Sequence, residues 1–375
     1  MTLGKRNLCI ALVAAAGCLA ASSVAASGPE PRGRIHLDYA FHDEDVREFA
    51  DGHRLRRARI GVDGVLDDDW SYQSEIDFAE NGVGFRDVYL RYSGLETGDL
   101  TIGQFKVPFS MDELTSSNHL TFIERALPNA FPQSRRVGIG LAGGGADFGY
   151  SVMGFGQGVG SNNERVDAAG DENFGIGARL FGSPVRTDSS LLHLGIGVTT
   201  EAPNHREDET VRFRARPESR PTGVRLVDTG TIEDVDRMNR FSLESGWQSG
   251  PLTLQGEYLG VDVNRDNGED YSFDGYYAQA SWVVTGQRKE YRGGTFRSPS
   301  LSAGESAWEL ALRFSNIDLD DGAIRGGTQD NITLGINYYP RSNVRFMANY
   351  IMTDSERDGA SDDPNILLLR TQVAF

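Results

Sequence analysis

Cysteine is almost missing from this chain: Cys9 and Cys18 are the only two, and both lie within the first 26 residues. The remainder therefore carries no disulfide, no thiolate nucleophile and no Cys-based zinc site. Lysine is nearly as scarce, with only Lys5, Lys106 and Lys289. Long apolar runs are absent too. Leu8 to Ala21 spans about 14 residues, short of the about 20 that a membrane-crossing helix requires. No helical period is sustained over a long window. There is no HExxH and no GxSxG nucleophile elbow. Gly138, Gly140 and Gly143 satisfy GxGxxG, but no helical pattern follows them, so dinucleotide binding is excluded. The formal charge of −17 argues against nucleic acid as a partner. Nothing in the chain points to an enzyme, a cofactor or a metal site.

What is present begins with residues 1–26. Lys5 and Arg6 form a basic n-region, Leu8 to Ala21 an apolar h-region, and SSVAAS offers small residues for cleavage after Ala26, so a secretory signal peptide is expected. Its removal takes two of the 37 basic residues and leaves 35 against 54 acidic ones.

From there to Phe375, residues 27–375 read as one domain of two-residue alternation. RIHLDYAF places Ile35, Leu37, Tyr39 and Phe41 on one face, with Arg34, His36 and Asp38 between them. RRARIGVDGVL, WSYQSEIDF, RDVYLRY, LLHLGIGV, AWELALRF and ILLLRTQVAF repeat the dyad. About 16 strands of roughly 10 to 14 residues result, the length a tilted strand needs to cross a bilayer. Tight turns alternate with long acidic connections, the pattern of an outer-membrane barrel. A soluble β-sandwich would use shorter strands and would gain little from an aromatic terminal residue. Phe375 is read as a signal to the barrel assembly machinery. One connection, residues 286–304, is long where a short turn is expected, and nothing in the sequence accounts for it.

Alternation fails in KVPFSMDELTSSNHLTFIERALPNAF. This segment, about 107–133, is the third long loop, and it carries Phe109, Met111, Leu114, Leu120, Phe122, Ile123, Leu127 and Phe131. Standing in water it would expose a costly apolar patch. Folded into the barrel it packs those side chains on the inner wall, where non-strand backbone is tolerated beside a water-filled cavity. The predicted fold is therefore all-β: a transmembrane antiparallel up-and-down β-barrel with an inward-folded third loop.

RRARIGVDGVLDDDWSYQSEIDFAENGVGFRDVYLRYSGL, GQFKVPFSMDELTSSNHLTFIERALPNAF, RFRARPE and LGINYYPRSNVRFMANY, in this order, resemble the phosphate-selective porin O/P family. The resemblance implies a 16-stranded, trimeric porin in the bacterial outer membrane, surrounded by lipid and lipopolysaccharide. It also implies a constriction at the third loop and an arginine-lined anion path. Arg57, Arg59, Arg136 and Arg179 fall on the lumen parity, as do Arg91, Arg240, Arg313, Arg345 and Arg370. Arg212, Arg214 and Arg216 alternate within the long loop 201–236 and resemble the family's arginine ladder. The candidate anion-binding residues are Arg57, Arg59, Lys106, Arg125, Arg136, Arg179, Arg212, Arg214 and Arg216, since guanidinium forks bind oxyanions bidentately.

Asp112, Glu113, Ser116, Ser117, Asn118 and Glu124 are the candidate constriction residues. Glu113 and Asn118 stand where phosphate-specific members carry lysines. Two pore readings stay open: a passive path for small anions such as phosphate or polyphosphate, and a general or weakly cation-preferring channel. An outer-membrane enzyme on a smaller barrel is the third reading.

Overall fold

The computed structural model describes residues 28–79, 82–145, 147–159, 174–203 and 209–375. The expected signal peptide, residues 1–26, lies outside them. Sixteen long strands form one sheet: β1 (Glu30–Asp43), β2 (Gly52–Val65), β3 (Trp70–Asp77), β4 (Gly84–Leu95), β5 (Gly98–Lys106), β6 (Arg135–Gly144), β7 (Phe148–Phe155), β8 (Gly175–Arg186) and β9 (Ser190–Glu201). After the two-residue strands β10 (Arg214–Ala215) and β11 (Val227–Asp228) come β12 (Val235–Ser249), β13 (Leu252–Arg265) and β14 (Tyr271–Val283). The short hairpin β15 (Lys289–Arg292) and β16 (Thr295–Pro299) precedes β17 (Ala307–Asp321), β18 (Ile324–Arg341) and β19 (Val344–Arg357). The two-residue β20 (Ala360–Ser361) and then β21 (Asn365–Ala374) end the chain.

All long neighbours pair antiparallel, and β21 pairs with β1, closing the sheet on itself. Closure matters because a barrel leaves no unpaired backbone edge in the hydrocarbon. At the seam Phe375 and Gly33 exchange both backbone bonds, at 2.7 and 3.0 Å.

The alternation is realised as two faces. In β17, Trp308, Leu310 and Leu312 are exposed to the membrane side, while Glu309, Arg313 and Ser315 are buried in the lumen. All four tryptophans, Trp70, Trp247, Trp282 and Trp308, lie near the short-turn rim as an interfacial girdle. Trp308 stacks on Tyr338 with ring centroids 4.4 Å apart.

The lumen is where the core sits. The third loop turns inward, and Phe109, Met111, Leu120, Phe122, Ile123, Leu127 and Phe131 are buried, with Leu114 left partly exposed. The fifth loop, between β9 and β12, also folds in. Its Phe213, Ala215, Val227 and Ile232 share one apolar cluster with Phe131 and with Phe273, Ile317 and Leu319 of the wall.

The connection around 286–304, unexplained by the sequence, is a third inward segment entering from the short-turn rim. Its β15–β16 hairpin rises to meet the third loop: Phe296 packs with Met111 and Leu191. Lys289 Nζ pairs with Glu309 at 2.7 Å and donates to Thr121 Oγ1 at 2.6 Å.

Candidate functional site: the constriction and its arginines

A loop inside a barrel must satisfy its backbone carbonyls without a sheet. The wall does this with arginine. Arg345 donates to the carbonyls of Leu120 (2.5 Å) and Thr121 (3.1 Å), and Arg370 to that of Ile123 (2.5 Å). Arg313 reaches the carbonyl of Glu124 at 3.1 Å. Each is a charge-assisted bond worth about 1.5–3 kcal/mol. The same arginines are neutralised: Arg370 by Asp38 in a bidentate pair, Arg345 by Glu309, and Arg313 by Glu218 of the fifth loop. Lumen parity therefore places these guanidinia correctly, but they act as fasteners.

The third loop opens with a four-residue helix, α1 (Met111–Leu114), entered through Ser110 at φ 64°. Ser110 caps it by accepting from the Glu113 N–H. Glu257 on β13 accepts from the N–H groups of Met111 (3.0 Å) and Asp112 (2.6 Å), and from the Tyr277 hydroxyl at 2.7 Å. At the other end of α1, Arg125 donates to the carbonyls of Asp112, Glu113 and Thr115. Lys106 Nζ also donates to the Glu113 and Thr115 carbonyls. Both cations lie close to the Glu113 carboxylate, at 3.4 Å for Arg125 and 3.7 Å for Lys106. Lys106 and Arg125, candidates for anion binding, thus staple the loop.

The acidic residues of the loop are neutralised in the same way. Ser134 and Asn129 donate to Glu113. Burial pushes the Glu113 carboxyl up, but Arg125 and Lys106 hold it down at about 2. Burial likewise opposes ionisation of Glu124, and Arg56, Arg57 and Arg370 hold it well below the carboxylate range. Arg56 grips Glu124 bidentately at 2.7 and 3.1 Å. Asp112 is buried away from the channel, pushed up by that burial, and accepts from the Ala126 N–H.

Three adjoining cavities run through the remaining lumen. The outer one, about 180 Å³, lies between the third and fifth loops and is lined by Arg56, Arg125, Arg214, Arg216, Arg220 and Arg225. The middle one, about 710 Å³, shares Arg56, Arg125, Arg216 and Arg220 with it and adds Arg34, Arg54, Arg57, Arg59, Arg86 and Arg135. The inner one, about 510 Å³, adjoins the middle one at Lys106 and Leu114 and is lined by Arg91, Arg179, Arg292 and Arg297. Ser116 and Ser117 face the middle cavity and accept from Arg34 at 3.3 and 3.1 Å. Asn118 meets His36 at 3.2 Å.

The sequence candidates divide accordingly. Arg57, Arg59, Arg214 and Arg216 line the path, although Arg59 is paired with Glu75 (3.0 Å) and Asp77 (2.8 Å). Arg179 lines the inner cavity but is clamped by Glu244 and donates to the Gly294 carbonyl. Arg136 lines none of the three cavities and lies 3.8 Å from Glu201. Arg212 is turned away into a bidentate pair with Asp228, 2.6 Å on both sides.

Several path residues escape a parity reading. In the β1–β2 ladder His36 faces Arg57 but Leu37 faces Leu55, so Arg56 is the extra residue of a β-bulge. A bulge re-aims side chains, and here both Arg56 and Arg57 reach the middle cavity. Arg220 and Arg225 follow a loop fold without period, and Arg292 and Arg297 come from the hairpin. Only Arg34, on the lumen parity of β1, had a usable signal.

Residues 30–375 match the family model described as phosphate-selective porin O and P. The chain belongs to that family. It is 25% identical to Porin O of Pseudomonas aeruginosa, over 92% of this chain and 87% of that one. It is 28% identical to an uncharacterised protein of Caulobacter vibrioides, over 86% of this chain and 68% of that one. Its fold is similar to that of the anion-selective porin from Comamonas acidovorans (TM-score 0.61, 16% identity, 93% and 100% of the two chains). The chain is an outer-membrane porin.

Proposed function

We propose that this porin passes small anions, phosphate and other oxyanions among them, by passive diffusion along a line of unneutralised arginines. Six guanidinia facing the cavities have no carboxylate within ion-pair distance among the described residues. These are Arg214 and Arg225 in the fifth loop, Arg57 at the constriction, and Arg91, Arg292 and Arg297 below it. That selective lack of pairing, in a lumen where most charges are paired, carries the reading. Burial and the neighbouring Arg214 and Arg220 pull Arg225 down to about 10, the mark of crowded positive charge. Rings of arginine make anion pores, and charge that is already compensated attracts little.

The family's description as phosphate-selective supports the same reading. A cation-preferring channel would need free carboxylates at the constriction, and Glu113 and Glu124 are each held by two cations. A trimer is the assembly proposed. The test is the reversal potential of the reconstituted porin across a KCl gradient, followed by titration with phosphate. Chloride preference and a phosphate block of the chloride current are expected. Potassium preference without block would overturn the proposal.

A further inference from the structure

Arg34, Arg56, Arg59, Arg86 and Arg135 of the middle cavity wall each pair with a carboxylate, and Arg57 is held differently. Its partner is an imidazole: Arg57 Nη1 donates to His36 Nδ1 at 3.2 Å, directly across the β1–β2 ladder. Its Nε has no hydrogen-bond partner, and the residue is only 3% exposed. Glu124, the carboxylate whose field reaches it, is committed to Arg56 and Arg370.

The tautomer of His36 follows from donor and acceptor counting. A guanidinium has donors only, so Nδ1 must be the bare, accepting nitrogen. The proton then sits on Nε2, which donates to Asn118 Oδ1 at 3.2 Å. This also fixes the Asn118 amide with its oxygen toward the ring. His36 is thereby neutral, fully buried, and flanked by Arg57 and by Arg34 and Arg370 of the lumen wall. Asn118 is itself anchored, because its carbonyl accepts from Gln372 Nε2 (3.1 Å) and Ser298 Oγ (3.3 Å). A rigid track runs from the third loop and the hairpin through Asn118 and His36 to Arg57.

A carboxylate in place of His36 would hold the guanidinium equally well and cancel its charge. An uncharged acceptor holds the group and leaves the charge for a solute. We propose that His36, itself positioned by Asn118 of the third loop, is a positioning residue for selectivity that orients Arg57 without neutralising it. This rests on the anion-pore reading and adds to it the residue pair that sets the constriction's affinity for an oxyanion.

The test is a double-mutant cycle in planar bilayers, reading phosphate block of chloride current and reversal potential, with heat-modifiable gel mobility as the check on barrel folding. Arg57→Ala should weaken phosphate block about tenfold. His36→Leu should weaken it several-fold, and the His36→Leu/Arg57→Ala double variant should be no weaker than Arg57→Ala alone. His36→Gln, which can accept from Arg57 and donate to Asn118, should stay close to wild type. His36→Glu, which keeps an acceptor but adds a compensating charge, should lose at least as much as His36→Leu. Asn118→Ala perturbs the track from the loop side, keeps the test open if His36→Leu does not assemble, and should weaken block several-fold only while Arg57 is present.

Additive effects of His36 and Arg57 substitutions, or a His36→Glu variant with wild-type block, would overturn the assignment. A wild-type porin that is not anion-selective would instead sink the anion-pore reading itself.

Discussion

Glu113→Gln is the most direct probe of how charge at the constriction is balanced. The carboxylate lines the middle cavity, held by Lys106, Arg125, Ser134 and Asn129. A glutamine keeps its shape and its contact with Asn129, and the Ser134 hydroxyl can rotate to accept from the new amide. What changes is one unit of negative charge. At a separation of about 8 Å from a passing monovalent anion, that charge contributes about 0.5 kcal/mol in bulk water and about 2 kcal/mol at an effective dielectric constant of 20. Chloride occupancy should thus rise between about twofold and thirtyfold, and more for a divalent anion. The assay is single-channel recording across a KCl gradient with phosphate titration. The reversal potential should move toward the chloride limit and half-block should occur at lower phosphate. A folded variant with an unchanged reversal potential would refute the claim that Glu113 masks the charge of Lys106 and Arg125 at the constriction.

The same residue gives a stability prediction with a definite sign. Its folded value of about 2 lies below the ordinary carboxylate value, so its stabilisation is present above about pH 4.5 and is lost as pH falls toward 2. By urea unfolding in detergent, wild type should exceed Glu113→Gln by on the order of 3 kcal/mol at pH 7, with the gap closing by about pH 2. Lys289→Met breaks the buried pair with Glu309 and the contact with Thr121, and should cost about 3–5 kcal/mol while raising single-channel conductance as the hairpin loosens. Glu257→Ala leaves the α1 N–H groups of Met111 and Asp112 without their acceptor, so open-channel current noise should increase and conductance should become heterogeneous. Arg212→Ala should leave the reversal potential unchanged, because neither Arg212 nor its partner Asp228 lines the three cavities, whereas an Arg214→Ala/Arg225→Ala double variant should shift it toward potassium.

The arginines show most clearly what was legible in the chain. Two-residue alternation identified Arg57, Arg59, Arg91, Arg313, Arg345 and Arg370 as lumenal because face is a local property of a strand. It could not say that Arg313, Arg345 and Arg370 would be consumed by the carbonyls of the third loop. It missed Arg56 because a single bulge reverses parity from that point in the ladder. The apolar content of the third loop announced its inward position, and the same reasoning did not reach the hairpin at 289–299, whose anchors are one lysine and a few aromatic contacts.

By itself the sequence determined the closed antiparallel barrel, the membrane it crosses and the loop that narrows it. Each follows from polarity recurring at short range, which the chain carries residue by residue. Only the tertiary structure decided which charges face the solute. In a crowded lumen an arginine's role depends on whether a carboxylate or a carbonyl from a distant segment reaches it first. The chain's net charge of −17 gives no hint that the path through it is lined with positive charge.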